Sequence, residues 1–189
     1  MTTVLGLLSL QSSQEPIGDP FFSIMELLTV LIAPLMVVSM VIVHTYAPSE
    51  MKVYSLTALI FMILLAGITS SVHFVILSVG HQITATGLAW VPLLISFKWP
   101  SVAYTLDILA WDWFFPLSML CAAPVFRESR LEKILQILMI ISGVLSLAGL
   151  IGVPLGDMQV RMIGVLGYAV VSPIVFLLLG MVFGLQPRR

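Results

Sequence analysis

Two aspartates and a histidine lie in runs of residues that are otherwise suited to lipid. Asp107 and Asp112 fall within the apolar run 102–125, and His73 falls within the preceding run 53–79. A carboxylate at the centre of a membrane helix costs roughly 2.5–3.5 kcal/mol even on mild scales, so each aspartate needs a partner or a use. A histidine oriented by a carboxylate can act as a general acid or base, which is the chemistry that these residue types offer.

The composition indicates that membrane helices position these residues. Of the 189 residues, 60% are hydrophobic and 9% are charged, and the mean hydropathy is +1.14. A soluble domain is about 25% charged, so this chain has too little polar surface to cover itself in water. The length suits one all-α transmembrane bundle over residues 1–189, with no separate soluble domain. The net charge of −1 argues against binding to nucleic acid.

Five segments are long and apolar enough to cross a bilayer, which requires about 20 residues. They comprise residues 21–43, 53–79, 102–125, 131–151 and 162–185. Residues 1–20 are expected to form a short N-terminal segment outside the membrane. In the outer loop 80–101, the apolar part is only about ten residues long and is broken by Pro92, so it predicts an interfacial or re-entrant piece and not a sixth span.

The distribution of basic residues predicts the orientation of the bundle. With the N-terminus outside and the C-terminus inside, the outer loops carry only Lys98 and Arg161. The inner loops then carry most of the basic residues, namely Lys52, Arg127, Arg130, Lys133, Arg188 and Arg189. This asymmetry obeys the positive-inside rule. We therefore expect a multi-pass protein of the plasma (inner) membrane with this orientation.

Depths along the helices place the ionisable residues at one end of the bundle. At about 1.5 Å per residue, Asp107 lies about 7 Å and Asp112 about 15 Å below the outer end of the third span. On the same scale, His73 lies about 9 Å below the outer end of the second span. Glu26 and Arg161 belong to the outer ends of the first and fifth spans. The inner halves are nearly free of ionisable residues, so the pattern predicts a polar pocket open to the outside.

Helical phase separates the two aspartates. At 100° per residue, Tyr104, Asp107 and Trp111 share one face of the third span, whereas Asp112 points about 140° away from Asp107. We therefore expect the two carboxylates to contact different neighbours. Both can face protein only if this helix is central, so the third span should be the most buried of the five. The candidate ligand-binding residues are Glu26, His73, Tyr104, Asp107, Trp111, Asp112 and Arg161.

Three functions fit this pattern. The first is a binding, sensing or permease-like bundle for an apolar or cationic small molecule. The second is an intramembrane enzyme that acts on a lipid-like substrate through His73 with Asp107 or Asp112. The third is an accessory or scaffold subunit of a membrane complex, in which the aspartates are structural and pair with Arg161 or His73. The chain has no H-x-x-x-H or C-x-x-C spacing, so no metal or other cofactor is expected.

Small residues recur in the last two spans and predict close helix packing. The fifth span ends in Gly180-Met-Val-Phe-Gly184, a spacing that lets two backbones approach closely. These two glycines predict either packing within the bundle or a homodimer through Gly180 and Gly184. Other small residues lie along the fourth and fifth spans, namely Ser142, Gly143, Ser146, Gly149, Gly152, Gly164 and Gly167.

Two inner loops carry a family resemblance. The residues from His44 to Leu56 join the first two spans, and those from Ala122 to Ile134 join the third and fourth. Together with the helix that carries Asp107, they resemble a group of small, uncharacterised prokaryotic polytopic membrane proteins. The likeness runs from about Pro34 to Leu179. This group has no known activity, so the resemblance implies a membrane bundle and assigns no functional residue.

Overall fold

Five helices that are long and apolar enough to cross a bilayer make up the fold. The computed structural model describes residues 20–184, and no strand occurs among them. The helices are α1 (Phe21–Tyr46), α2 (Ser49–Gly80), α3 (Val102–Val125), α4 (Arg130–Leu155) and α5 (Met158–Gly184). The all-helical class and the number of spans are thus confirmed over the described part of the chain. The predicted N-terminal segment 1–20 lies outside it, except for Pro20.

The residues between α2 and α3 form no sixth span. The connection, residues 81–101, contains two short helices, His81–Thr84 and Val91–Ile95. Pro92 lies in the first turn of the second one, where a missing N–H does no harm. We call the end of the bundle at which this segment lies the connection end. The opposite end, which carries Lys52, Arg127, Arg130 and Lys133, is called the basic end.

The third helix is the most enclosed of the five. Over an 18-residue window of α3, 56% of the residues are buried, compared with 22% to 39% in the other spans. Its side chains Phe115 and Met119 are fully buried, and its Ser118 hydroxyl donates a hydrogen bond to the carbonyl of Ala58 in α2 at 2.7 Å. The prediction that this helix is central, because its two carboxylates both need protein around them, is confirmed.

Small residues bring α4 and α5 into close contact. A Cβ added at Gly149 of α4 would lie 2.7 Å from the Cα of Gly164 in α5, so a larger side chain has no room there. Along the same contact, the Ser142 hydroxyl donates to the carbonyl of Gly167 at 2.8 Å. Close packing and an interhelical hydrogen bond are what stabilise helix pairs in lipid, where the hydrophobic effect is weak. The small residues of α4 and the first half of α5 therefore pack inside the bundle as predicted.

The two glycines near the end of α5 behave differently. Gly180 and Gly184 are exposed, and a Cβ added at either would meet nothing within 4 Å. The expectation that they pack within the bundle is wrong, because they lie on a face of α5 that none of the described helices covers. Their use as a homodimer contact stays a prediction.

At the basic end, one carboxylate closes the turn between α3 and α4. Ser129 is the N-cap of α4, and its hydroxyl accepts a hydrogen bond from the N–H of Glu132 at 3.2 Å. The buried Glu132 carboxylate in turn accepts from the N–H groups of Arg127 at 3.2 Å and Glu128 at 2.9 Å. It also accepts from the Tyr46 hydroxyl at 3.1 Å, which joins the turn to the end of α1. This arrangement resembles a capping box, but the carboxylate accepts from the two N–H groups that precede the N-cap and also makes an interhelical contact.

Substitution Glu132→Ala is expected to destabilise the bundle by about 1–3 kcal/mol, because it removes a buried charged acceptor of three hydrogen bonds. Thermal unfolding in mild detergent measures the effect. Lys133→Ala provides the control, since it alters the exposed neighbouring residue on the same helical turn. Equal melting temperatures for the two variants would contradict the assignment.

Candidate functional site

Five ionisable side chains from four helices meet near the connection end. They are Glu26 of α1, His73 of α2, Asp107 and Asp112 of α3, and Arg161 of α5, and we call them the ionic network. None is more than 6% exposed, and Asp112 is not exposed at all. Ionisable groups inside membrane bundles are costly and mark ligand or proton pathways. This network is therefore the candidate site.

One half of the network is centred on His73. Its Nδ1 lies 2.7 Å from Oε2 of Glu26, within hydrogen-bond distance. Its Nε2 lies 3.5 Å from Oδ1 of Asp107, close enough for an ion pair but too far for a normal hydrogen bond. Both ring nitrogens thus face a carboxylate, one from α1 and the other from α3. The depth comparison had predicted His73 as a partner of the aspartates, and the contact with Asp107 confirms it.

The other half is centred on Arg161. Its Nε and one terminal nitrogen lie 3.0 Å and 2.9 Å from the same oxygen of Asp112, Oδ2. The guanidinium also donates to the hydroxyls of Tyr104 at 2.7 Å and Tyr168 at 3.3 Å. The terminal nitrogen near Asp112 also lies 3.6 Å from Oδ2 of Asp107. Arginine stays charged in proteins, so this buried cation is held by two carboxylates and two phenol oxygens.

The shared cation corrects the prediction from helical phase. The two aspartates do not serve entirely different neighbours, because Arg161 contacts both. The reason is a π-helical turn at Leu109–Phe114, between the two positions. A π turn bonds residue i to i+5, so it rotates the chain less per residue and brings Asp112 back toward the side of Asp107. Pro116, which has no N–H for the carbonyl of Asp112, lies two residues after this turn ends.

Gly164 leaves the space that the Asp112 carboxylate occupies. A Cβ added at Gly164 of α5 would overlap Oδ1 of Asp112, so the carboxylate occupies space that any other residue at this position would fill. This oxygen is buried and has no hydrogen-bond partner among the described residues. The glycine therefore permits both the α4–α5 contact and the contact between Arg161 and Asp112.

Most, but not all, of the predicted site residues meet here. Tyr104 joins the network through Arg161, whereas Trp111 packs against the rings of Tyr168 and Phe115, at centroid distances of 5.3 and 5.9 Å. Sequence reasoning missed Tyr168, although it lies seven residues, or two helical turns, after Arg161 and so shares its face.

The network is closed at the connection end. The Phe97 ring lies 5.4 Å from the His73 ring and 5.5 Å from the Tyr104 ring, measured between centroids. Around it, a small apolar cluster contains Phe22, Val72, Ile76 and Ala103. Phe97 belongs to the connection, which carries no regular pattern that could have identified it. The polar pocket that was expected to open here is shut in this structure, because the network side chains are almost fully buried.

The fold and the site define an all-helical, multi-pass membrane bundle with a buried ionic network. No family model matches the chain, and neither does any curated protein or solved structure. Among residues 20–184, no group of three or more histidine, cysteine, aspartate or glutamate side chains is arranged to hold a metal ion.

Substitution Gly164→Ala is expected to displace the Asp112 carboxylate and to destabilise the bundle by about 1–3 kcal/mol, the usual effect of overpacking. Gly67→Ala is the matched control, because a Cβ added at this exposed helical glycine of α2 meets nothing within 4 Å. Thermal unfolding of both variants in detergent measures the difference. If Gly164→Ala melted at the same temperature as Gly67→Ala or above it, the tight contact would be refuted.

Proposed function

We propose that this protein is a small permease-like or sensing bundle that binds a small cationic molecule at the ionic network. The observation that carries the proposal is the convergence of five ionisable side chains from four helices on one buried site. In membrane bundles, such groups face the interior and line substrate or proton pathways. Three carboxylates around one guanidinium and one imidazole favour a ligand of positive charge.

Stability alone is a poor explanation for the network. Buried ion pairs are commonly replaced by packed apolar residues with no loss of stability, because desolvation offsets their attraction. Near the basic end, this bundle achieves helix packing with apolar side chains, including the fully buried Met40, Met62 and Met119. A scaffold would need no more than that. The change from apolar to ionic packing along the same helices supports a binding role for the ionic part.

The surroundings of the ionic network favour entry of a ligand from the connection end and not from the basic end. Between the network and this end lie the Phe97 ring and a few apolar side chains. On the other side, the main apolar core continues through Phe115, Met119 and Leu135, all fully buried. A ligand that displaced the Phe97 ring would reach the network and then meet a closed core. We take the structure as the closed state of such a binding protein.

The proposal includes an orientation. The basic end carries four basic residues, namely Lys52, Arg127, Arg130 and Lys133. Among the described residues at the connection end, the only lysine or arginine outside the network is Lys98. The positive-inside rule then favours the basic end in the cytoplasm and the connection end outside the plasma membrane. Under this orientation, the network faces the extracytoplasmic side, the N-terminus is outside, and the C-terminus is inside.

A second candidate is an intramembrane enzyme. It is favoured by the pairing of His73 with Asp107 at 3.5 Å, a distance that a small movement would shorten to a catalytic hydrogen bond. The substrate would be lipid-like and would reach the imidazole from within the membrane. The ring is only 5% exposed and both of its nitrogens already face carboxylates, so the binding role has the stronger geometric support.

Ligand binding is expected to raise the melting temperature of the purified protein, and Asp112→Asn is expected to abolish the rise. Ethanolamine, tetraethylammonium and spermidine are suitable probes, and a ligand at a hundred times its Kd stabilises the folded state by about 2.7 kcal/mol. Glu50→Gln is the control, because Glu50 is an exposed carboxylate at the basic end.

Two outcomes would count against this role. If none of the cations shifts the melting temperature of the wild-type protein, the cationic ligand class is wrong. If Asp112→Asn and Glu50→Gln respond alike to a cation that does bind, the ligand lies outside the network.

The orientation predicts that a reporter joined after Arg189 lies in the cytoplasm. A fluorescent protein fused there is expected to fluoresce, and an alkaline phosphatase fused there is expected to be inactive. The reciprocal fusion, with the phosphatase inserted in the 81–101 connection, is expected to be active. The opposite pattern in both fusions would reverse the orientation.

A further inference from the structure

The ionic network contains more negative than positive charge. With its three carboxylates ionised against one guanidinium, two negative charges are unmatched when the His73 imidazole is neutral and one is unmatched when it is protonated. An unmatched charge without solvent contact is among the most unfavourable arrangements in a protein. The network is no more than 6% exposed at any member, so bulk water does little to stabilise these charges. A closed network therefore favours the uptake of positive charge from solution.

The geometry of His73 indicates where that charge is held. A neutral imidazole has one N–H donor, so its other nitrogen would direct a lone pair at a carboxylate. The Nδ1 of His73 lies 2.7 Å from Glu26, and its buried Nε2 lies 3.5 Å from Asp107, with no hydrogen-bond partner among the described residues. Only the imidazolium form presents a donor to both carboxylates.

We propose that the network is a proton-binding site, in which His73 holds an exchangeable proton between Glu26 and Asp107 in the closed state. The inference rests on the proposed function in one respect: release of this proton would accompany binding of a cationic ligand, which supplies the same charge. Proton and ligand would then compete, so the bundle would exchange one for the other. The proton-binding step itself requires no ligand.

The groups around His73 come from every helix that packs near it. Glu26 faces it from α1 and Asp107 from α3, and both favour the charged ring. Arg161 of α5 lies beyond Asp107 and opposes the charge, but its closest ion pair is with Asp112. The connection contributes the Phe97 ring, which has no charge and covers the site. Two carboxylates in direct contact therefore outweigh one more distant cation.

The remaining negative charge lies on the side of Arg161. There, one guanidinium serves both Asp107 and Asp112, and Oδ1 of Asp112 has no hydrogen-bond partner among the described residues. A cationic ligand that entered the network would find an unpaired carboxylate oxygen here. Its arrival would also reduce the field that holds the proton on His73, which is the physical basis of the exchange.

The test is to observe the His73 ring directly by nitrogen NMR of the full chain, labelled at histidine and held in a lipid nanodisc. In the variant His44→Gln/His81→Gln, His73 is the only imidazole, and the network is left intact. At about pH 8.5, a solvent-exposed histidine with a pKa near 6.5 is neutral. We expect the His73 signal to be that of an imidazolium at this pH, with both nitrogens protonated.

A neutral His73 ring at that pH would overturn the proposal. Glu26→Gln and Asp107→Asn each remove one carboxylate facing the ring, and each is expected to reduce the protonated fraction at that pH at least twofold. Glu50→Gln is the control for a carboxylate at the opposite end and is expected to change nothing. If both network variants fail to fold, the spectrum of the variant with His73 alone still decides the protonation state.

A second arm distinguishes a proton from another monovalent cation. The spectrum is repeated in sodium, potassium and ammonium chloride at equal ionic strength. If the His73 ring is neutral and one of these ions raises the melting temperature, that ion supplies the compensating positive charge. This result would refute proton binding. Failure of proton binding can be told apart from failure of the proposed ligand site. The NMR spectrum reports on His73 and uses no organic cation, whereas the melting temperatures measured with organic cations report on ligand binding and not on His73.

Discussion

Arg161 places one buried positive charge against two carboxylates of α3 and two tyrosine hydroxyls. An arginine keeps its charge when buried, and separation from its partners would leave several uncompensated groups in an apolar interior. The positions of α3 and α5 are therefore coupled through this side chain. Through Asp107 and His73, the same coupling extends to α2 and α1, so the four helices that contribute to the network must move together or exchange partners.

This arrangement depends on the absence of side chains elsewhere. Gly149 and Gly164 allow α4 and α5 to approach closely, and the missing Cβ at Gly164 also provides the space for the Asp112 carboxylate. Helix association in lipid depends on such close contacts, since lipid chains are as apolar as the helices themselves. The small residues thus serve two purposes at once. They hold the helix that carries Arg161, and they admit the carboxylate that neutralises it.

Irregular helix geometry coincides with the network in three of its helices. A π turn contains Asp112 in α3, another contains Tyr168 in α5, and a third begins three residues after His73 in α2. Such turns are rare and concentrate at functional sites. Here they occur beside a closed site whose charges are unequal and whose cover is a single aromatic ring from the connection. These features together support the proposal that the site exchanges its positive charge, and they favour it over a purely structural role.

The five spans and the central place of α3 could be predicted from the amino-acid sequence, because hydrophobic length and the need of two carboxylates for protein partners are local properties. Depth along the helices also predicted the contact of His73 with Asp107. The packing of the helices was needed to establish that Arg161 contacts both aspartates, that Glu26 pairs with His73, and that Phe97 covers them. These contacts depend on a π turn, on the spacing of α4 and α5, and on an irregular connection, and none of these follows from the hydrophobic pattern.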